Sequence, residues 1–362
     1  MTLPAFTRKL LKWNKKENSR QMPWKYEKDP YKIWLSEIIL QQTRVKQGHP
    51  YYEKFLRYFP TVRDLAAAPR RKVFKLWEGL GYYNRCRNLI ETANKIVKDY
   101  KGKFPDSFKK ISALKGIGPY TAAAIGSFAF KLPYPVVDGN VHRVLSRYFG
   151  ITTGADQATG RKFYASLAFA LLDKKNPDIY NQAIMDFGAV ICKPRNPLCE
   201  TCIQSEDCMA YQNGWVDILP VKKIKQSRRL RWFYYFIFEN DSGQLFIRRR
   251  NDEDIWKHLY EFYLLESDRS LNKEKLYDSI SLLFGREAYR IKSFSKVFKQ
   301  ELTHQIIQGQ FVSIWFKKSP AFLRGFLPVS RKKIRDYPFP KFIQSFIVEQ
   351  DSPGPKSNQP VK

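Results

Sequence analysis

Acidic residues are in short supply in this chain: 34 Asp and Glu stand against 64 Lys and Arg, a formal net charge of +30 over 362 residues. That imbalance favours a polyanionic partner, nucleic acid first and an anionic membrane second. Long apolar runs are absent, none reaching the roughly eighteen residues of a membrane span, so no membrane partner is expected. The first residues, Met1 to Lys9, lack the apolar core of a signal peptide. Cysteine is rare, too. Five are too few for a disulfide scaffold in a chain this long, and four of them cluster, which points to a reducing, cytoplasmic setting and a metal site. No internal repeat is present. The length suffices for two domains, each burying its own core.

Residues 4–220 read as mostly helical, with apolar positions recurring at three and four and short loops between them. In the helix from Tyr31 to Gln42, Ile33, Trp34, Leu40 and Gln41 share a face with Glu37. A carboxylate among such neighbours holds its proton more tightly and can serve as a general acid; the alternative is a surface Glu on the rim of an amphipathic helix. Gly79-Leu80-Gly81-Tyr82-Tyr83 offers close backbone approach and flat faces for base stacking, or else an ordinary turn with core aromatics. Gly116-Ile117-Gly118 allows a tight reversal between helices, and Pro119 suits the first turn of the next one, where its missing N–H costs nothing. Free N–H groups at that hairpin can hold a phosphate; a plain helical corner is the alternative. Asp138 precedes the apolar pattern Val141, Val144, Leu145 and reads as an N-cap, a role compatible with chemistry.

Cys192, Cys199, Cys202 and Cys208 follow with six, two and five residues between them. Four thiolates so spaced can close on one metal centre, and spacing alone leaves tetrahedral zinc and an iron–sulfur cluster both open. A basic linker over 215–230 comes next. Beyond it, strand-like runs at Arg231–Phe238, Leu245–Arg250, Leu259–Glu266, Leu302–Gln308 and Gln310–Phe316, with a turn at Gln308-Gly309 and a helix over Lys273–Phe284, predict an α+β domain. The stretch 348–362 reads as a disordered tail.

Several of these motifs resemble those of one family. Leu114 to Ala122 followed by Val136-Val137-Asp138-Gly139-Asn140 resembles the helix-hairpin-helix and catalytic-aspartate segment of the endonuclease III superfamily of DNA glycosylases. Ser36 to Val45, containing Glu37-Ile38-Ile39-Leu40-Gln41-Gln42, resembles the signature of its adenine-specific branch, the MutY family, which excises adenine mispaired with 8-oxoguanine. The resemblance implies a mostly α helix-hairpin-helix glycosylase domain over 1–214, carrying a 4Fe-4S cluster on the four cysteines. A Nudix-like 8-oxoguanine recognition domain is implied over 231–347. It makes Glu37 the acid that protonates adenine and Asp138 the carboxylate that supports the sugar's positive charge, with Asn140 bonded to the acid pair or the sugar. The related bifunctional lyases carry a Schiff-base Lys where this chain has Tyr120, and a phenol cannot form that imine, so a monofunctional, water-using enzyme is expected. Among DNA and lesion contacts the resemblance places Trp24, Gln42, Leu80, Tyr82, the hairpin glycines Gly116 and Gly118, and Gln182 at the adenine edge. Lys25 stands where the family usually has Arg, which removes a planar bidentate contact. In the C-terminal domain, Leu302-Thr303-His304 matches the family's Phe-Ser-His turn, although His304 could also be a solvated strand histidine. The charged Nudix box is missing, so diphosphate hydrolysis is not expected. The expected partner is duplex DNA carrying an adenine:8-oxoguanine mispair, bound by a monomer acting at the nucleoid.

Overall fold

The computed structural model describes residues 3–154, 157–221, 227–251 and 253–351. Part of the expected linker (222–226) and most of the expected tail (352–362) lie outside them. The chain divides into two compact units, Met1–Ala68 with Asn84–Ile224 and Pro69–Tyr83 with Lys225–Lys362. Residues 69–83, placed in the first domain by sequence, thus group with the second unit.

The helices run α1 (Ala5–Lys16), α2 (Pro30–Leu40), α3 (Val45–Tyr58), α4 (Val62–Ala67), α5 (Arg70–Trp77), α6 (Tyr83–Tyr100), α7 (Phe108–Ser112), α8 (Pro119–Phe130), α9 (Gly139–Phe149), α10 (Ala158–Leu171), α11 (Pro177–Val190) and α12 (Met209–Gln212). All but α5 and the first residue of α6 belong to the first unit. Local chemistry sets the starts that matter. Asp29 caps α2 by accepting from the Tyr31 N–H at 2.9 Å, with Pro30 at the first helical position. Gly116 turns the chain between α7 and α8 at a φ of 76°, where an added Cβ would meet Asn88 at 2.7 Å. Asp138 caps α9 through the Val141 N–H at 2.8 Å. One core joins Phe6, Leu10 and Trp13 of α1 to Val144 and Leu145 of α9, Tyr164 of α10 and Phe187 of α11. Helix α2 packs on α3 and α8 and buries nearly all its length, so it is not the one-sided amphipathic helix that a solvent-facing Glu would ride on.

The second unit is built on a mixed sheet: β1 (Arg229–Glu239), β2 (Gln244–Arg249), β3 (Tyr260–Glu261), β4 (Tyr263–Ser267), β5 (Tyr289–Phe294), β6 (Phe298–Glu301), β7 (Gln305–Phe316) and β8 (Leu327–Ser330). Helix α13 (Lys273–Phe284) has the bounds expected from sequence, and α14 (Lys341–Asp351) closes the described chain. Strand β1 pairs in parallel with β7 along its whole length, from Arg229↔Gln305 to Glu239↔Trp315, and antiparallel with β4 and β2. Its side chains alternate between two covered faces, as a strand of continuous apolar character must. Tyr234, Phe236 and Phe238 pack with Leu276, Ile280 and Phe284 of α13. Phe233 and Tyr235 turn the other way, toward Trp256 at 5.7 Å and Phe342 of α14 at 6.2 Å between ring centroids.

Two expectations are corrected here. The turn expected at Gln308-Gly309 does not exist; β7 runs unbroken through it. Gly309 is small for another reason: it lies opposite Phe233, where a Cβ would come within 1.7 Å of the Phe233 carbonyl oxygen. The true reversal falls earlier, between β6 and β7, and it carries Leu302, Thr303 and His304, with the Leu302 N–H donating to the Gln305 carbonyl at 2.8 Å. The expected tail, in turn, begins as ordered helix: α14 reaches Asp351 because Phe342, Ile343 and Phe346 are buried.

Candidate active site

A cavity of about 570 Å³ opens in the first unit, and seven of the residues singled out by sequence line it: Trp24, Glu37, Gln42, Tyr120, Asp138, Asn140 and Gln182. They come from α2, α8, the start of α9, α11 and the loops on either side of α2. Glu37 touches the cavity and is enclosed by protein on every other side. Burial pushes its carboxyl up to about 7, against a hydrogen bond donated by the Tyr120 hydroxyl, with the Asp138 charge adding to the rise. A carboxylic acid is thereby kept half protonated at neutral pH, as a general acid must be. Burial and the neighbouring Glu37 push the Tyr120 phenol far above its ordinary range, so it is a fixed donor and not a base.

Asp138 has both oxygens engaged. One caps α9, and the other accepts from Asn140 Nδ2 at 2.7 Å. Asn140 is itself held: its Oδ1 accepts from Arg143 Nη2 at 2.9 Å, and the same guanidinium donates to the carbonyls of Gly188 (2.6 Å) and Cys192 (2.8 Å). Helices α9 and α11 approach so closely here that a Cβ on Gly188 would sit 2.7 Å from that of Asn140. A carboxyl of raised proton affinity and a second, fixed carboxyl thus face one space large enough for a small-molecule-sized group. Such a pair can protonate a leaving group and support positive charge on the atom it leaves.

Some of the site was not foreseen. His142 lines the cavity one turn after Asp138; burial lowers its proton affinity against the pull of Asp138, and its Nδ1 is buried with no hydrogen-bond partner. Arg143 and Asp186 are buried charged residues, which single-residue patterns do not reveal. Lys25 sends its ammonium to Asp186 Oδ2 at 3.0 Å and to the Arg20 carbonyl at 2.7 Å, the behaviour of a point charge and not of a planar fork.

The other sequence candidates lie elsewhere. Gly118 caps α8 with open space where a Cβ would go, so nothing inside the chain requires a glycine there. Leu80 is buried. Tyr82 is nearly half exposed with a left-handed φ of 48°, and its hydroxyl lies 2.7 Å from that of Thr303, a residue of the β6–β7 turn in the same unit. His304 sits beside it in that turn. Cys192, Cys199, Cys202 and Cys208 line one small cavity, yet among the described residues no three His, Cys, Asp or Glu side chains converge as a single metal ion would require.

Residues 35–166 match the family described as HhH-GPD superfamily base excision DNA repair protein. Curated proteins named adenine DNA glycosylase are similar over most of the chain. That of Buchnera aphidicola from Acyrthosiphon pisum is 37% identical over 264 residues, covering 72% of this chain and 75% of its own. That of Arabidopsis thaliana is 32% identical over 343 residues, covering 82% of this chain and 53% of its own. Among solved structures, a thermostable thymine-DNA glycosylase is 33% identical with a TM-score of 0.53, covering 57% of this chain and 95% of its own. A trapped endonuclease III–DNA covalent intermediate is similar in fold at a TM-score of 0.50 and 20% identity, covering 57% of this chain and 93% of its own. The chain belongs to the adenine DNA glycosylase family, within the helix-hairpin-helix base-excision superfamily.

Proposed function

We propose that this protein is a monofunctional glycosylase that removes adenine mispaired with 8-oxoguanine, or with guanine, from duplex DNA. The observation that carries this reading is the pairing of Glu37, with its carboxyl at about 7, and Asp138 across one cavity. The target nucleotide flips out of the duplex into that cavity. Glu37 passes its proton to the base. The bond from C1′ to N9 breaks, its electron pair leaves with adenine, and Asp138 offsets the charge left on the sugar. Water adds at C1′ and its proton goes to the Glu37 carboxylate, restoring the acid and leaving an abasic site. Tyr120 has no amine with which to form an imine, so the strand stays whole.

Support for the 8-oxoguanine preference comes from the second unit, which we read as a Nudix-like recognition domain. Tyr82 and Thr303, distant in sequence, are hydrogen-bonded to each other, with His304 alongside. At the hairpin, open space around Gly118 suits a phosphate seated on the α8 N-terminus. The four cysteines would hold one 4Fe-4S cluster. Cys192 Sγ accepts from Arg147 at 3.5 Å and Cys202 Sγ from the Gln204 N–H at 3.4 Å, contacts that suit thiolate sulfur. The cluster would hold the loop that carries Lys193 and Arg195 toward DNA phosphates. The protein would act as a monomer on the nucleoid in the cytoplasm.

The test is single-turnover cleavage of duplexes with adenine opposite 8-oxoguanine, guanine or thymine, read with and without alkali. Alkali-dependent cutting opposite 8-oxoguanine and none opposite thymine is expected. Cutting without alkali, or efficient borohydride trapping, would overturn the assignment of Tyr120.

A further inference from the structure

Within the first unit, the steps above leave the fully buried carboxylate of Asp186 without a role. Asp186 on α11 has no solvent contact, and its two oxygens receive donors from α11 itself and from the stretch between α1 and α2. Oδ1 accepts from Arg20 Nη1 at 2.7 Å and from Gln182 Nε2 at 2.9 Å. Oδ2 accepts from Asn18 Nδ2 at 2.9 Å and lies 3.0 Å from Lys25 Nζ. A buried carboxylate so fully satisfied is tightly placed, because moving it would strand a charge. Gln182 stands one helical turn before it and shares its face of α11.

A glutamine amide carries a donor at one end and an acceptor at the other, and left to itself it can turn either way. Here every neighbour of Asp186 donates, so the end of Gln182 that meets it is the nitrogen. The planar amide then carries Oε1 on its opposite side. Because Gln182 lines the cavity, what it offers a base edge is an acceptor. Adenine presents a 6-amino donor to such an acceptor, whereas hypoxanthine presents a 6-oxo oxygen, and two acceptors facing each other are unfavourable.

We propose that Asp186 is a positioning residue which, through Gln182, selects a 6-aminopurine over a 6-oxopurine. This rests on the reading of the cavity as the site of a flipped adenine. The experiment compares single-turnover excision of adenine and of hypoxanthine, each opposite 8-oxoguanine, by the full-length protein. Asp186→Asn frees the amide to turn, and the adenine-to-hypoxanthine rate ratio should fall by roughly tenfold, the lower range of one good base-edge contact. Gln182→Met should lower the ratio to a similar extent, and the double variant should lower it no further. Equal loss on both substrates with Asp186→Asn would make Asp186 merely structural and overturn the inference, as would additive effects in the double variant. Should Asp186→Asn fail to fold, Gln182→Met decides alone: an unchanged ratio overturns the proposal. A wild-type protein that excises no adenine would overturn the functional reading and this inference together, whereas excision with unchanged ratios in the variants overturns this inference only.

Discussion

The state of Glu37 makes the most demanding prediction. Its carboxyl sits at about 7 instead of the ordinary 4.5 because burial disfavours the charge, and two neighbours adjust it in opposite senses. The Tyr120 hydroxyl stabilises the carboxylate and lowers the value; the Asp138 charge raises it. If the protonated form is the catalyst, the single-turnover rate should be level below pH 6, halve near 7, and fall about tenfold per pH unit above 8. Tyr120→Phe removes the donor, so the alkaline limb should move to higher pH even as the plateau drops. Asp138→Asn removes the negative neighbour, so whatever residual rate survives should show its limb at lower pH. Stability follows the same sign. The folded protein binds this proton more tightly than the unfolded chain does, so the contribution is whole below pH 4.5 and is lost as pH rises through 7. The gap between the two values is worth about 3 kcal/mol. Glu37→Gln, which cannot ionise, should therefore melt several degrees above the wild type at pH 8.5, and the difference should vanish as pH falls below 4.5. A limb near 4.5, a rate that climbs with pH, or variants that shift the limb in the same direction would refute the assignment of Glu37 as the acid.

Three further outcomes are expected. Gly188→Ala places a methyl 2.7 Å from the Asn140 Cβ, so it should displace Asn140 and Asp138 and slow excision by roughly 100-fold while duplex binding, measured by anisotropy, holds. Gly309→Ala puts its methyl into the Phe233 carbonyl and should cost the second unit about 3 kcal/mol in urea unfolding, leaving the melting of the helical unit unchanged. Cys202→Ser should remove the visible absorbance of an iron–sulfur cluster and lower bound iron well below four atoms per chain; unaltered absorbance would count against the cysteine assignment.

The cavity lining was legible because its motifs are local and announce their own environment. Glu37 is flanked along the chain by the Ile and Trp residues that bury it, and Asp138 precedes the helix that it caps. Helix α13 was legible to the residue for the same reason: Asn272 caps its start through the Lys275 N–H, and Gly285 closes its end. What escaped depends on partners far away in sequence. Gly309 looks like a turn residue until β1 is laid beside it, because a close approach and a turn both ask for a missing side chain. Asp186 looks like any helical carboxylate until Arg20 arrives from 166 positions away. Arg143 is the sharper case, since nothing in its neighbourhood indicates that one guanidinium will hold Asn140 and the carbonyl of Cys192 together.

These long-range contacts divide the labour within the site. The residues legible from local sequence are those that line the cavity, and each has chemistry of its own: an acid, a carboxylate, a phenol, an amide. The residues that escaped supply orientation. Arg143 holds Asn140, which holds Asp138; Asp186 holds Gln182. Tyr120 and Asn140 do both: each lines the cavity, and Tyr120 adjusts the proton affinity of Glu37 while Asn140 holds Asp138. Substitutions in the first group should change what reaction is possible, and those in the second how selectively it runs. The pH limb of Tyr120→Phe and the substrate ratio of Asp186→Asn separate the two effects, because the first reads the titration of Glu37 and the second the face that Gln182 offers a base edge.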